Sequence, residues 1–177
     1  MDYAHFWHLV DSTRGQPDRA ERLTEVLSRH APGEIVQFRI LYDDVMHAAN
    51  QVDLRGAGCT INGGSTDDDF YAFRERLIEM GRQVFESAVK DPDSLADIVT
   101  PGEPLVGSEG LDQAATAAWT AVSGLTEEAF YEAVDQADTR TDRGDAEEGE
   151  WWTFHDKAEV RHRLPRLAAK LVRDEPE

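Results

Sequence analysis

Residues 33–49, GEIVQFRILYDDVMHAA, set Ile35, Phe38, Leu41, Tyr42, Val45 and Ala49 on one side of a helix, a period sustained for about four turns. It is the clearest amphipathic signal in the first half of the chain and predicts a core helix. On its N-terminal side, Tyr3, Phe6, Trp7 and Val10 recur at i, i+3, i+4 and i+7, which predicts a helix over 2–12 with Asp2 at its positive end. STRGQPDR reads as a turn. Pro17 suits the first position of a second helix with Leu23, Val26, Leu27 and His30 on its face, ending near Ala31.

On the C-terminal side, LRGAGCTINGG (54–64) fits either a small-residue helix that lets another element approach closely or a short strand; we read it as helix. Ser65, Thr66 and Asp67 are competent N-caps for a long helix to about Lys90, carried by Phe70, Phe73, Leu77, Val84, Phe85 and Ala88. Gly81 inside that helix costs about 1 kcal/mol relative to alanine, which implies a close neighbour. Asp91-Pro92 ends it and caps a short helix over 93–98.

VTPGEPLVGSEG (99–110) is a connection or a lid between a longer N-terminal and a shorter C-terminal part. Beyond it, Leu111, Ala115, Ala118, Trp119 and Val122 form a helical face closed by Gly124, and Thr126 caps a helix bearing Phe130, Val134 and Ala137. Residues 138–150 are charged and poor in apolar side chains, which predicts an exposed acidic loop. A last helix starts near Asp156, with Pro165 kinking or restarting it. The prediction is an all-α fold: one domain over 1–177, a helical bundle of about seven to nine helices.

Thirty-six acidic against eighteen basic residues give a formal charge of -18, which repels phosphate backbones and anionic lipid surfaces. Nucleic-acid and membrane partners are therefore not expected, and a protein partner, if there is one, is expected to be basic. No apolar run approaches the roughly 20 residues needed to span a bilayer. MDYAHFWHLV lacks the basic start of a secretion signal. Cys59 is the one cysteine, so an internal disulfide or a cysteine zinc site has no second ligand, and a reducing cytoplasm is the expected compartment.

The segments FWHLVD (6–11), EIVQFRILYDDVMHAA (34–49) and DLRGAGCTINGGSTDDDFYAFRERLIEMGRQVFESAVKDPDSLADIV (53–99) resemble the bacterial domain-of-unknown-function family 4240 in order and spacing. Within the third, the resemblance rests on Gly63-Gly64, Asp67-Asp68, Phe70, Phe73-Arg74, Gly81-Arg82 and Asp91-Pro92. GEWWTFHDKAEVRHRLPRLAAKLV (149–172) also looks like the end of such a protein. Members often carry an aromatic pair where this chain has Arg55 and Cys59, and a cysteine where it has Ser65. The resemblance implies a compact helical domain and brings no activity, cofactor or catalytic residue.

The most pointed local feature is Asn62-Gly63-Gly64-Ser65-Thr66-Asp67-Asp68-Asp69, where glycines free the backbone while hydroxyls and carboxylates gather at a helix start. Turn formation and capping account for it without a ligand. The competing reading is a hard-cation site on Asp67, Asp68 and Asp53, or an anion pocket in which Arg74 and Arg82, two turns apart on one helix, face the glycine turn. His5 and His8, with Asp11 or His47, form a further metal candidate, weighed against plain surface polar groups. Trp151 and Trp152 are either core aromatics or a partner-binding hot spot.

G-x-S-x-G, P-loop, dinucleotide and H-E-x-x-H signatures are absent. The expected function is non-catalytic: a protein-binding or regulatory domain, of which an immunity-type protein neutralising a basic toxin is one form. The alternative is a small metal- or anion-binding enzyme using Gly63, Gly64, Asp67, Asp68, Arg74 and Arg82. No metal or cofactor is implied.

Overall fold

The computed structural model describes residues 1–64, 66–107, 110–140 and 146–173. Among them are ten α-helices, one 3-10 helix and no strand, an all-α fold. The helices are α1 (Tyr3–Ser12), α2 (Arg19–Leu27), α3 (Pro32–Ala48), α4 (Val52–Asn62), α5 (Asp67–Glu79), α6 (Arg82–Lys90), the 3-10 helix Pro92–Asp97, α7 (Leu111–Ser123), α8 (Glu127–Ala137), α9 (Lys157–Arg163) and α10 (Pro165–Leu171). They outnumber the seven to nine predicted because the long helix and the last helix are each divided. Gly81 adopts φ +96 and separates α5 from α6. It breaks the helix rather than lying inside it as expected, since glycine alone takes that conformation at no steric cost. Pro165 restarts the last helix after Leu164.

The chain forms two compact units, 1–47 with 108–145 and 48–107 with 146–177. In the first, Asp2 caps α1 by accepting the His5 N–H at 2.8 Å. Its C-terminal carbonyls are closed by Arg19, whose Nη2 donates to Val10 O at 2.9 Å. The chain enters α2 through Asp18 in the left-handed region, φ +57, so the helix starts at Arg19 and Pro17 stays in the turn. Pro32 takes the first position of α3 instead. Phe6, Trp7, Phe38, Tyr42, Trp119 and Phe130 are buried in this unit, and Phe6 and Phe38 have ring centres 4.9 Å apart.

The second unit is built around α4, which packs on α5, α9, α10 and the 3-10 helix. LRGAGCTINGG is thus helical, ended by Gly63 at φ +80. Leu54, Arg55, Gly56, Ala57, Gly58 and Cys59 are all buried, as expected for a helix surrounded on every side. Small residues allow this: a Cβ on Gly58 would lie 3.0 Å from the Phe73 ring of α5. Thr66 caps α5 in a reciprocal arrangement, accepting from Asp69 N–H at 3.1 Å while Asp69 Oδ2 accepts the Thr66 N–H at 3.0 Å. Asp91 caps the 3-10 helix. Asp93, buried on that helix, accepts the Arg166 and Leu167 N–H groups at 2.9 Å each and so caps α10 from another element.

Candidate functional site

The side chains of interest lie on α4 and on the segment after the acidic run. Val52 N–H donates to Glu148 O at 2.8 Å and Glu148 N–H to Asn50 O at 2.9 Å, so this segment is tied to the start of α4. Glu148 and Glu150 are exposed, as predicted for an acidic loop, but the Glu147 side chain is only 9% exposed.

Arg55, one turn into α4, explains that burial. Its Nη2 meets Glu147 Oε1 at 2.5 Å and Asp67 Oδ1 at 2.9 Å, with the Arg55 side chain 9% exposed and that of Asp67 95% exposed. The guanidinium carbon lies 4.5 Å from the Phe70 ring centre and 5.9 Å from that of Trp151. A buried cation is tolerable when charged partners and aromatic faces replace its water.

A second arginine, on α9, repeats the pattern around Trp152. Trp152 lies against Gly56, where a Cβ would come within 2.1 Å of its Cζ2, and its Nε1–H donates to Asp53 Oδ1 at 2.8 Å. Arg163 of α9 sits 5.6 Å from the Trp152 ring centre and 3.4 Å from Asp53 Oδ1, with Glu150 at 3.6 Å and Glu159 at 3.3 Å. Phe154 joins the two tryptophans, with ring centres 5.5 Å from Trp151 and 4.8 Å from Trp152. The result is a continuous surface of three aromatic rings with a guanidinium at each end and carboxylates around them.

Trp151 is 62% exposed and Trp152 partly so, which rules out the core reading for Trp151. Asp67 faces Arg55 while Asp53 serves Trp152 and Arg163, so the two are engaged by different cations. Asp68 is exposed in the first turn of α5. Arg74 lies 4.7 Å from the Phe70 ring centre, whereas Arg82 lies beyond the Gly81 break and pairs with Glu86 at 2.8 Å. The shared helical face expected of Arg74 and Arg82 does not form, because Gly81 divides their helix.

Cβ atoms at Gly63 or Gly64 would meet nothing within 4 Å, and Ser65 lies outside the described residues. The cavity beside them, lined by Asn62, Gly64, Asp69, Ala72, Pro104 and Val106, is about 150 Å³, below the roughly 300 Å³ at which small-molecule sites begin. His5 packs edge-on against His30 with ring centres 5.3 Å apart. Among the described residues no group of three or more His, Cys, Asp or Glu is placed to hold a metal ion, and no helix is long and apolar enough to cross a membrane.

Cys59 Sγ lies 3.8 Å from His155 Nδ1, a pairing sequence reasoning did not anticipate. Burial pushes the thiol up from its ordinary value, which keeps it protonated and poorly nucleophilic. Arg55 and Glu147 were also unforeseen as a pair. The small residues of LRGAG gave the available signal, an invitation to close approach, without naming Trp152 as the visitor.

Fold and surface together define an all-α helical protein that displays an arginine-bracketed aromatic patch. Residues 1–132 match the family described as "Protein of unknown function (DUF4240)", and the chain belongs to that family. The match ends before Glu147, Trp151, Trp152 and Arg163, so the patch joins α4 and α5 from the matched region to a segment outside it. No curated protein and no solved structure matches the chain.

Proposed function

We propose that this protein is a non-catalytic protein-binding or regulatory domain of the cytoplasm that engages its partner through the Trp151 surface. The observation that carries the reading is Trp151 itself: a tryptophan 62% exposed yet anchored, with Phe154 on one side and the buried Arg55 near its ring. Exposed tryptophan is uncommon away from interfaces, and tryptophan and arginine are the residues most enriched among binding hot spots. Rigid anchoring lowers the entropy lost when a partner docks. The enzyme reading has less support, since Cys59 is buried with a raised thiol and the cavity lined by Gly64 and Asp69 is about 150 Å³.

The test is site-specific photocrosslinking in cells, with the photoreactive residue at position 151 and, as control, at the exposed Leu125. A discrete partner crosslinked at 151 and not at 125, and lost from pull-downs with Trp151→Ala, is the expected result. Equal crosslinking at both positions, or none at 151, removes the reading.

A further inference from the structure

We propose that the Trp151 surface takes an arginine-bearing segment of the partner, one guanidinium stacking on the indole and meeting the Asp67 carboxylate. This rests on the protein-binding reading above and names the chemistry that the surface recognises.

The chain already contains the arrangement twice. Arg55 lies 4.5 Å from the Phe70 ring centre and is held by Asp67 at 2.9 Å. Arg163 lies 5.6 Å from the Trp152 ring centre, with Asp53 at 3.4 Å. Each guanidinium lies over an aromatic ring and meets more than one carboxylate, Glu147 as well as Asp67 for Arg55 and Glu150 and Glu159 as well as Asp53 for Arg163, the combination that suits a flat, delocalised cation.

Trp151 is the ring in this group with the most surface left in solvent. Asp67 meets Arg55 through Oδ1 while its side chain stays 95% exposed, so it can receive a second guanidinium without releasing the first. Glu150, 86% exposed, stands at the other end of the patch.

Charge selects the same occupant. Asp67 and Glu147 on Arg55 and Glu150 on Arg163 put carboxylates at the patch in a chain of formal charge -18, and like charges disfavour an acidic segment whereas a basic one is drawn in and oriented. Lysine is the poorer fit. Its compact, strongly hydrated ammonium stacks less well and offers no planar fork to a carboxylate.

The probe is a synthetic peptide of arginines spaced by glycines, with lysine and citrulline versions as controls, followed through the indole N–H NMR signals of the four tryptophans. The arginine peptide should move the Trp151 signal and leave those of the buried Trp7 and Trp119 in place, which also verifies the fold. Citrulline keeps the shape but loses the charge, and should bind about tenfold more weakly; the lysine peptide should fall between. Trp151→Ala and Asp67→Asn should each weaken arginine-peptide binding by about threefold or more.

Equal binding of arginine and citrulline peptides overturns the proposal, as does binding unaffected by both substitutions or no response up to about 1 mM, the weak end of useful affinity. The crosslinking experiment separates the two levels. A partner crosslinked at 151 through a segment lacking arginine overturns this inference and leaves the protein-binding reading standing, whereas no partner at 151 removes that reading.

Discussion

Gly56 and Trp152 touch through the backbone of one and the indole of the other: a Cβ on residue 56 would fall 2.1 Å from Trp152 Cζ2 and 2.7 Å from Cη2. Alanine is the better helix former by about 1 kcal/mol, so an exposed Gly→Ala change in a helix is stabilising. Here the added methyl has to displace a ring that is also held by Asp53 at 2.8 Å.

Gly56→Ala should therefore destabilise by about 1–3 kcal/mol, the usual range for overpacking. In a Trp152→Ala background the same change should be neutral or gain up to about 1 kcal/mol. Urea unfolding of the four proteins measures the coupling. A stabilised Gly56→Ala single variant would show that the ring does not sit on the helix.

The Arg55 cluster orders three substitutions. Arg55→Ala leaves the buried Glu147 without its cation and should cost about 3–5 kcal/mol. Glu147→Ala leaves Arg55 with Asp67 and should cost less. Asp67→Ala, at a side chain 95% exposed, should cost no more than about 1 kcal/mol, because Thr66 rather than Asp67 caps α5. Chemical denaturation gives the ranking, and an Asp67→Ala loss as large as that of Arg55→Ala would contradict it.

Asp93 connects the 3-10 helix to α10 by accepting two of its first backbone N–H groups. Asp93→Ala strands those donors in a partly buried setting and should cost about 1–3 kcal/mol. Asp93→Asn keeps one acceptor oxygen and should lose less. Hydrogen exchange at Leu167 provides a local readout: faster exchange in both variants is expected, and unchanged protection would deny the capping role.

Helix positions were legible in the sequence wherever apolar period and caps agreed. Phe70, Phe73 and Leu77 are buried on one side of α5, Thr126 caps where expected, and Thr66 is the one of the three candidates that caps α5, whereas Asp2, read as the first helical residue, is the N-cap of α1. Gly81 was misread as helical because a glycine within an apolar period looks the same whether it continues the helix or breaks it; only the backbone φ decides. The candidate site was half legible. Trp151, Trp152 and Asp67 stood out by residue type, but Arg55 and Glu147 are separated by most of the chain, and no local spacing links two such residues. Which cation a carboxylate meets is settled by tertiary packing.

The Thr66–Asp69 capping pair gives a pH signature. The Thr66 backbone N–H, and then its hydroxyl, favour the ionised Asp69 and hold its carboxyl below the ordinary range. A carboxyl depressed in the folded state contributes stability that is present above its unfolded pKa and lost as pH falls through the folded value. NMR titration should find Asp69 below the ordinary carboxylate range, and Asp69→Asn should remove part of the acid-side loss of stability. A normal Asp69 titration would mean that the reciprocal cap does not persist in solution.

Cys59 and His155 resemble a nucleophile and its base in composition alone. A Cys–His dyad works when the pair exists as thiolate and imidazolium, which lowers the thiol pKa. In this protein burial raises the Cys59 thiol, and Sγ stands 3.8 Å from Nδ1 with the sulfur 3% exposed. Labelling by a disulfide reagent should accordingly be slow in the native protein near neutral pH and fast once it is unfolded. It should rise only above the range of an ordinary thiol, and His155→Ala should leave that pH profile in place. Fast native labelling below neutral pH, abolished by His155→Ala, would reveal an activated dyad and return an enzymatic role to consideration.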